Sequence, residues 1–264
     1  MNFRGFSIPL LSLVLFLTLL QGLPLLAETP EEKGLRIAQL NESKNDGFKG
    51  EYAEMVMVLI NAHGDKVERK MTTKTRETND DGDQSISVFL WPADVKGTKM
   101  LTWTHKDDDD DQWLYMPALK RVKRISSRNK SGAFMGSEFA YEDLGSQEVE
   151  KYHHKFIEET TLDGREIWKM ERVPTSKKSG YSKQITYVDK EYHQPLRIEY
   201  FDRKGDLMKI ATFRDYREMG DFWRVHEIDM DNVQTKKRSI ITWSTREIGK
   251  KYSEYDFESD SLVN

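Results

Sequence analysis

Histidines and carboxylates are the residues of this sequence that could support acid–base catalysis or metal binding. The six histidines show no HExxH spacing, and a chain without cysteine lacks thiolate ligands. No GxSxG nucleophile turn and no glycine-rich phosphate loop occurs. Adjacent carboxylates such as Glu158 and Glu159 would face opposite sides of a strand, so they indicate no acid–base pair. The sequence predicts no catalytic residue, no metal and no cofactor, and a protein that is not an enzyme.

The most conspicuous charged feature is the acidic run Asp107–Asp111. A calcium loop would need spaced ligands, a central glycine and a terminal Glu, and this run has none of these. Because it falls between two predicted strands, we expect a solvated hairpin turn. The same interpretation applies to Asp80–Asp83.

Met and aromatic residues recur at alternate positions of the predicted strands, and this pattern has two interpretations. They could build an ordinary β core, or they could line a hollow that binds hydrocarbon, for which the unbranched Met is well suited. A carrier must enclose its cargo, because each exposed CH₂ costs about 0.8 kcal/mol and a 16-carbon chain roughly 12 kcal/mol. The alternation also includes Trp168, Met170, Tyr200, Trp223 and Trp243. The candidate lining residues are Met55, Met57, Leu59, Leu101, Trp103, Trp113, Tyr115, Phe134, Met135, Phe139, Met208 and Ile210.

Two further segments are candidate contact surfaces. Lys120, Arg121, Lys123 and Arg124 form a basic stretch that could meet phosphate head groups or an acidic partner, or be a solvated edge strand. Phe134 and Met135 lie in a glycine-flanked loop that could be a lid, touch a membrane or partner, or tuck into the core.

The elements that must position these residues follow an export signal. Residues 1–27 combine Arg4, an apolar run over Ile8–Leu20 and a small residue at Ala27, which is typical of a cleaved signal peptide. The rival interpretation, a membrane anchor, would need a run of roughly 20 residues. Residues 28–264 show no internal repeat and no low-complexity linker, so we expect a single domain exported to the periplasm. The net charge of −4 argues against nucleic-acid binding.

One helix and many short strands are predicted. Thr29-Pro30-Glu31-Glu32 is a capping box that starts a helix over Pro30–Asn45, and Ser137–Leu144 could form a second, short helix. Period-2 segments separated by turn residues predict an antiparallel, mainly β (α+β) fold. The predicted strands are Tyr52–Ile60, Lys66–Glu77, Ile86–Trp91, Met100–His105, Gln112–Met116, Arg121–Ile125, Tyr152–Thr160, Arg165–Arg172, Ser182–Val188, Pro195–Phe201, Leu207–Tyr216, Trp223–Val233 and Ser239–Thr245.

Three ordered motifs stand out: residues 91–98 (WPADVKGT), 113–125 (WLYMPALKRVKRI) and 132–144 (GAFMGSEFAYEDL). They resemble the bacterial outer membrane lipoprotein-sorting protein family, which is similar in fold to the periplasmic lipoprotein carriers LolA and LolB. The resemblance implies a strongly curved antiparallel sheet forming a half-open β-barrel, with the two helices covering its mouth. It also implies binding of lipid or lipoprotein acyl chains and transfer between an RND-type inner-membrane exporter and an outer-membrane acceptor. The alternative is a non-catalytic envelope scaffold whose β core is filled by its own side chains.

Overall fold

The computed structural model describes Met1, residues 27–78 and residues 80–263. The predicted signal peptide therefore lies almost wholly outside the described residues. No helix in the described part of the chain combines the length and the hydropathy that a membrane span requires.

The helix α1 (Pro30–Ser43) begins where the capping box predicts. The Glu32 carboxylate accepts the Thr29 backbone N–H at 2.8 Å, and the Thr29 hydroxyl accepts the Glu32 N–H at 3.2 Å. Two of the otherwise unpaired backbone donors at the start of the helix are thereby satisfied. The helix ends two residues earlier than predicted.

Thirteen strands of the described chain form one antiparallel sheet, which confirms the predicted mainly β fold. Every predicted strand is present with shifts of a few residues at its ends. The strands are β1 (Gly50–Ile60), β2 (Lys66–Arg76), β3 (Gln84–Trp91), β4 (Lys99–Trp103), β5 (Asp111–Met116), β6 (Arg121–Ile125), β7 (Tyr152–Leu162), β8 (Arg165–Pro174), β9 (Tyr181–Asp189), β10 (Pro195–Asp202), β11 (Leu207–Met219), β12 (Phe222–Asn232) and β13 (Lys237–Ile248).

The sheet is a meander with one exception, the pairing of β1 with β13. This pairing joins two runs of sequential hairpins and leaves β6 and β7 as the two edges. A single apolar cluster contains residues from both runs, including Met57, Met71, Ile198 and Met230. Strands far apart in the sheet order can share one cluster only if the sheet curls strongly around it.

The connection between the two edge strands runs through the hollow of the curled sheet. We call residues 126–151 the plug segment. It forms no α-helix, so the prediction of a short helix over Ser137–Leu144 is wrong; it makes single 3₁₀ turns instead. The Phe134 N–H donates to the Phe139 carbonyl at 2.7 Å, and Met135 has a φ of 49°. A tight hairpin-like loop therefore takes the place of the helix.

Helix α1 packs closely on β7 because Gly34 has no side chain. A Cβ at Gly34 would lie 2.7 Å from the Phe156 backbone nitrogen, well inside normal contact. Beside it, the Lys33 Nζ lies 3.7 Å from the Phe156 ring centroid and 3.0 Å from a Glu159 carboxylate oxygen. The helix is thus fixed over the sheet by backbone proximity and one cation–π contact.

We expect Gly34→Ala to lower the free energy of unfolding by about 1–3 kcal/mol, because the methyl group overpacks this contact. Intrinsic helix propensity alone would raise stability by up to about 1 kcal/mol, so the sign separates the two effects. Urea denaturation measures it, with Gln39→Ala on the exposed face of α1 as control. A more stable Gly34→Ala protein would contradict the packing described.

Candidate functional site

The plug segment fills one part of the hollow. Phe134 and Phe139 are buried, and they belong to the same apolar cluster as Met55 and Met57. The Phe134 ring centroid lies 5.8 Å from that of Phe89 on β3. Of the twelve candidate lining residues, the structure brings together seven around this cluster: Met55, Met57, Leu59, Phe134, Met135, Phe139 and Met208.

The other five candidates do not face the hollow. Leu101 and its half-buried neighbours Trp103, Trp113 and Tyr115 form a separate cluster under the C-terminal residues Phe257 and Leu262. Met100 and Leu114, their neighbours along the strands, are in the inner cluster, so these four side chains point to the outer face. Ile210 likewise precedes the inward Ala211. The prediction of one common wall is wrong for these residues, because alternation identifies two faces without saying which one is concave.

A cavity of about 700 Å³ remains under α1, against the wall made by β8–β13. Of the twelve candidate lining residues, only Phe139 lines this cavity. Met170, Tyr200 and Trp223, which belong to the alternating pattern but not to the twelve candidates, line it as well. Other apolar lining residues are Ala38, Phe48, Val149, Val188, Pro195, Ile198, Phe213, Val225, Ile228 and Met230. Phe213, Val225 and Ile228 are only half-buried by the protein itself. Their remaining surface is available to an apolar ligand.

The strand register arranges this wall in continuous apolar rows. Phe213 on β11 pairs with Ile228 on β12, which pairs with Ile241 on β13, which pairs with Met57 on β1. Directly opposed side chains on one face of a sheet touch each other. The open wall and the plugged wall are therefore parts of one surface.

A second cavity of about 550 Å³ lies on the other side of the plug segment. Phe139 lines both cavities and so forms part of the partition. The partition also holds a buried ion pair: the Lys209 Nζ lies 2.7 Å from an Asp143 carboxylate oxygen and donates to the Glu138 carbonyl at 2.9 Å. The Tyr181 hydroxyl donates to Asp143 at 2.8 Å.

Buried charges at the α1 end of the cavity are paired around Glu51. Its two carboxylate oxygens lie 3.2 Å from the Arg224 Nε and 2.8 Å from the Arg246 Nε. Burial lowers the pKa of Arg246, and the contact with Glu51 opposes this effect. One carboxylate thus compensates part of the charge of two guanidinium groups in a site that excludes most water.

A second group of charges at the cavity mouth is acidic. Asp83 is half-buried, and desolvation together with the neighbouring carboxylates of Glu148 and Glu77 raises its pKa to about 7. The pKa of Glu42 on α1 is also raised, by desolvation first and then by Glu150 and Glu148. The cavity mouth therefore carries both a paired arginine group and a set of carboxylates.

The acidic run tethers the plug segment, so the prediction of a solvated turn is wrong for three of its carboxylates. Asp109 lies 3.2 Å from the Lys130 Nζ and 2.6 Å from the Lys178 Nζ, and these contacts lower its pKa to about 2 against the effect of desolvation. Asp110 pairs with Lys151, and Asp111 with Arg124. Sequence spacing did not show these partners, since they come from distant segments.

The basic stretch lies on the edge strand β6 and the turn before it. Lys120 has a left-handed backbone conformation with φ of 47°. Arg121, Lys123 and Arg124 are exposed, and only Arg124 combines its ion pair with a ring contact, 5.9 Å from the Trp113 centroid. The stretch is therefore available for contact along one edge of the sheet.

We expect Asp83→Asn to change the pH dependence of stability. A carboxyl whose pKa is raised in the folded state binds its proton more tightly there, so the contribution of Asp83 to wild-type stability falls as pH rises from about 4 to about 7. Above pH 7 the variant should be more stable than wild type by a few kcal/mol, and near pH 4 the difference should vanish. Urea denaturation at several pH values, with a chelator present to remove stray metal ions, measures the free energy of unfolding. Asp221→Asn, at an exposed position, is the control. Parallel pH profiles of wild type and Asp83→Asn would contradict the assignment.

Comparison with known proteins places this architecture. A family model described as an uncharacterized protein matches residues 81–264. No curated protein matches the chain significantly. A LolA superfamily protein from Nitrosomonas europaea has the same fold, with a TM-score of 0.70, 16% identity, and coverage of 86% of this chain and 98% of that chain.

Two solved structures are similar in sequence as well. A domain from Vibrio parahaemolyticus named for outer membrane lipoprotein sorting is 45% identical, with a TM-score of 0.87. The match covers 89% of this chain and 100% of the Vibrio chain. A DUF1329 family protein from Desulfovibrio piger is 30% identical, with a TM-score of 0.85, and the match covers 89% of this chain and 99% of the Desulfovibrio chain. The chain therefore belongs to the outer membrane lipoprotein-sorting protein family and has the LolA-like fold.

Proposed function

We propose that the protein is a non-catalytic periplasmic carrier that binds lipid or lipoprotein acyl chains in the cavity under α1. The observation that carries the proposal is the half-buried apolar wall of Phe213, Val225 and Ile228 around a space of about 700 Å³. This volume falls within the range of about 300–1,000 Å³ that is usual for ligand sites. Covering such a wall with an alkyl chain removes both apolar surfaces from water, at about 0.8 kcal/mol per CH₂.

Binding would follow partitioning between water and the cavity. Apolar side chains hold the hydrocarbon, and the polar mouth, which contains Arg224, Arg246 and the acidic groups, receives a head group. In the proposed cycle an RND-type inner-membrane exporter delivers the cargo, and an outer-membrane acceptor with a better-matched site withdraws it. Export through cleavage at Ala27 and a single domain over residues 28–264 belong to the same proposal.

A second candidate is an envelope scaffold with a filled core. The plug segment supports it, since Phe134 and Phe139 already occupy the hollow beside Met55 and Met57. The open wall along β11 and β12 favours the carrier instead. Binding of an acyl probe by the wild-type protein separates the two, because a filled scaffold would not take up hydrocarbon.

We expect Ile228→Asp to weaken binding of a fluorescent fatty acid at least tenfold, because a carboxylate in the apolar wall loses hydration when the chain enters. Ile210→Asp is the matched control: the residue type and half-buried state are the same, but its side chain faces the outer side of the sheet. Urea denaturation of both variants gives the loss of stability. Equal retention of the probe by both folded variants would count against the cavity.

The basic stretch of Lys120, Arg121, Lys123 and Arg124 is proposed as the docking edge for an acidic partner or phosphate head groups. Changing all four to Gln should weaken binding to anionic vesicles about tenfold at low salt and little at high salt, because charge interactions are screened. The control carries the same change at the exposed Lys177, Lys204, Lys236 and Lys237. Equal affinities of the two variants at low salt would dismiss this docking role.

A further inference from the structure

Six carboxylates converge at the acidic side of the cavity mouth from three separate parts of the chain. They come from the end of α1, from the segment between β2 and β3, and from the last turn of the plug segment. Electrostatic repulsion links Glu42 to Glu148, Glu150 and Asp46, and links Asp83 to Glu148, Glu77 and Asp46. The members of this set are Glu42, Asp46, Glu77, Asp83, Glu148 and Glu150.

Three of these carboxylates approach each other closely. Glu42, Glu148 and Glu150 each present one oxygen, and the three oxygens lie within 4.8 Å of one another. Glu42 accepts the Val149 backbone N–H, which holds it against the plug segment. Glu150 is exposed, so the group is reachable from solvent.

Glu148 is the residue that needs an explanation. It is only 9% exposed, and its carboxylate has no hydrogen bond or ion pair with any residue in the described ranges 27–78 and 80–263. The nearby His154 is no counter-charge at neutral pH, since burial lowers its pKa. Lys106 interacts electrostatically with Asp46, where its charge partly opposes the rise in the pKa that desolvation causes. A buried carboxylate beside two like charges is unfavourable unless a cation joins it.

We propose that Glu42, Glu148 and Glu150 form a divalent cation site of the calcium type, which connects the end of α1 to the plug segment at the cavity mouth. Carboxylate oxygens are ligands for hard cations. Calcium binds oxygens at about 2.3–2.6 Å, so two oxygens around one ion lie at most about 5.2 Å apart, and three oxygens within 4.8 Å of one another are compatible with one shell. Magnesium needs a shorter and more rigid shell of about 2.0–2.1 Å. Water from the exposed side of Glu150 completes the coordination.

The site is independent of the proposed cargo. A bound ion cancels the repulsion between a cover helix and a segment inside the hollow, so it favours the closed arrangement of the mouth. Calcium should therefore stabilise the protein with or without a lipid, and the failure of acyl-chain binding would leave this expectation unchanged.

The experiment is calorimetric titration of the chelator-treated full chain with CaCl₂ and with MgCl₂, together with thermal unfolding. Wild type should bind calcium with a dissociation constant of about 10⁻⁴–10⁻³ M, the range of extracellular modules, and magnesium at least tenfold more weakly. Calcium should raise the unfolding temperature. Wild type without a calcium-dependent shift would overturn the proposal.

Variants test the residues. Glu148→Gln should lose calcium binding by at least tenfold, and without calcium it should unfold at the same or a higher temperature than wild type, because a buried unpaired charge is removed. Glu150→Gln, at an exposed position that does not endanger folding, should also weaken binding. Glu68→Gln, exposed on β2, is the control and should bind as wild type does. Calcium binding unchanged in both Glu148→Gln and Glu150→Gln would refute the assignment.

Discussion

Water must be kept off the apolar inner wall of the curled sheet, and this requirement shapes the rest of the structure. The plug segment covers the part of the wall formed by β1–β5, and its side chains Phe134 and Phe139 are buried there. No segment of the described chain fills the space against the wall of β8–β13, where half-buried residues such as Ile228 line an open cavity. A ligand that covers this second part would complete the interior. Hydrocarbon is the chemistry that fits.

Charge sets the position of the covering parts. Asp109 and Asp110 hold the plug segment through Lys130 and Lys151, while Lys178 after it and Arg124 before it pair with Asp109 and Asp111. At the mouth, Glu51 compensates part of the charge of Arg224 and Arg246, whereas the group around Asp83 and Glu148 keeps an excess of negative charge. Ion pairs with Asp109 and Asp110 thus hold the plug segment in place, whereas repulsion between carboxylates around Glu148 opposes its position at the mouth. We expect such an arrangement to make the mouth sensitive to protons and cations.

Much of the fold followed from local patterns. The capping box at Thr29–Glu32 and the period-2 segments predicted the helix and all thirteen strands, because these signals depend on neighbouring residues only. The face that each strand turns inward did not follow, since Trp103 and Ile210 alternate as regularly as Met57 does. The partners of Asp109 and the like charges around Glu148 come from segments far apart in sequence. Curvature and long-range pairing decide these features, and neither has a local signature.

The central claim is that the inner wall along β11 and β12 shelters hydrocarbon. Native mass spectrometry of the protein isolated gently from its own cell envelope, followed by solvent extraction, tests this most directly. The account predicts a population heavier than the bare chain by the mass of an amphiphile, which the extraction recovers as a lipid or an acylated peptide. Only the mass of the bare chain, with no extractable lipid above background, would contradict it.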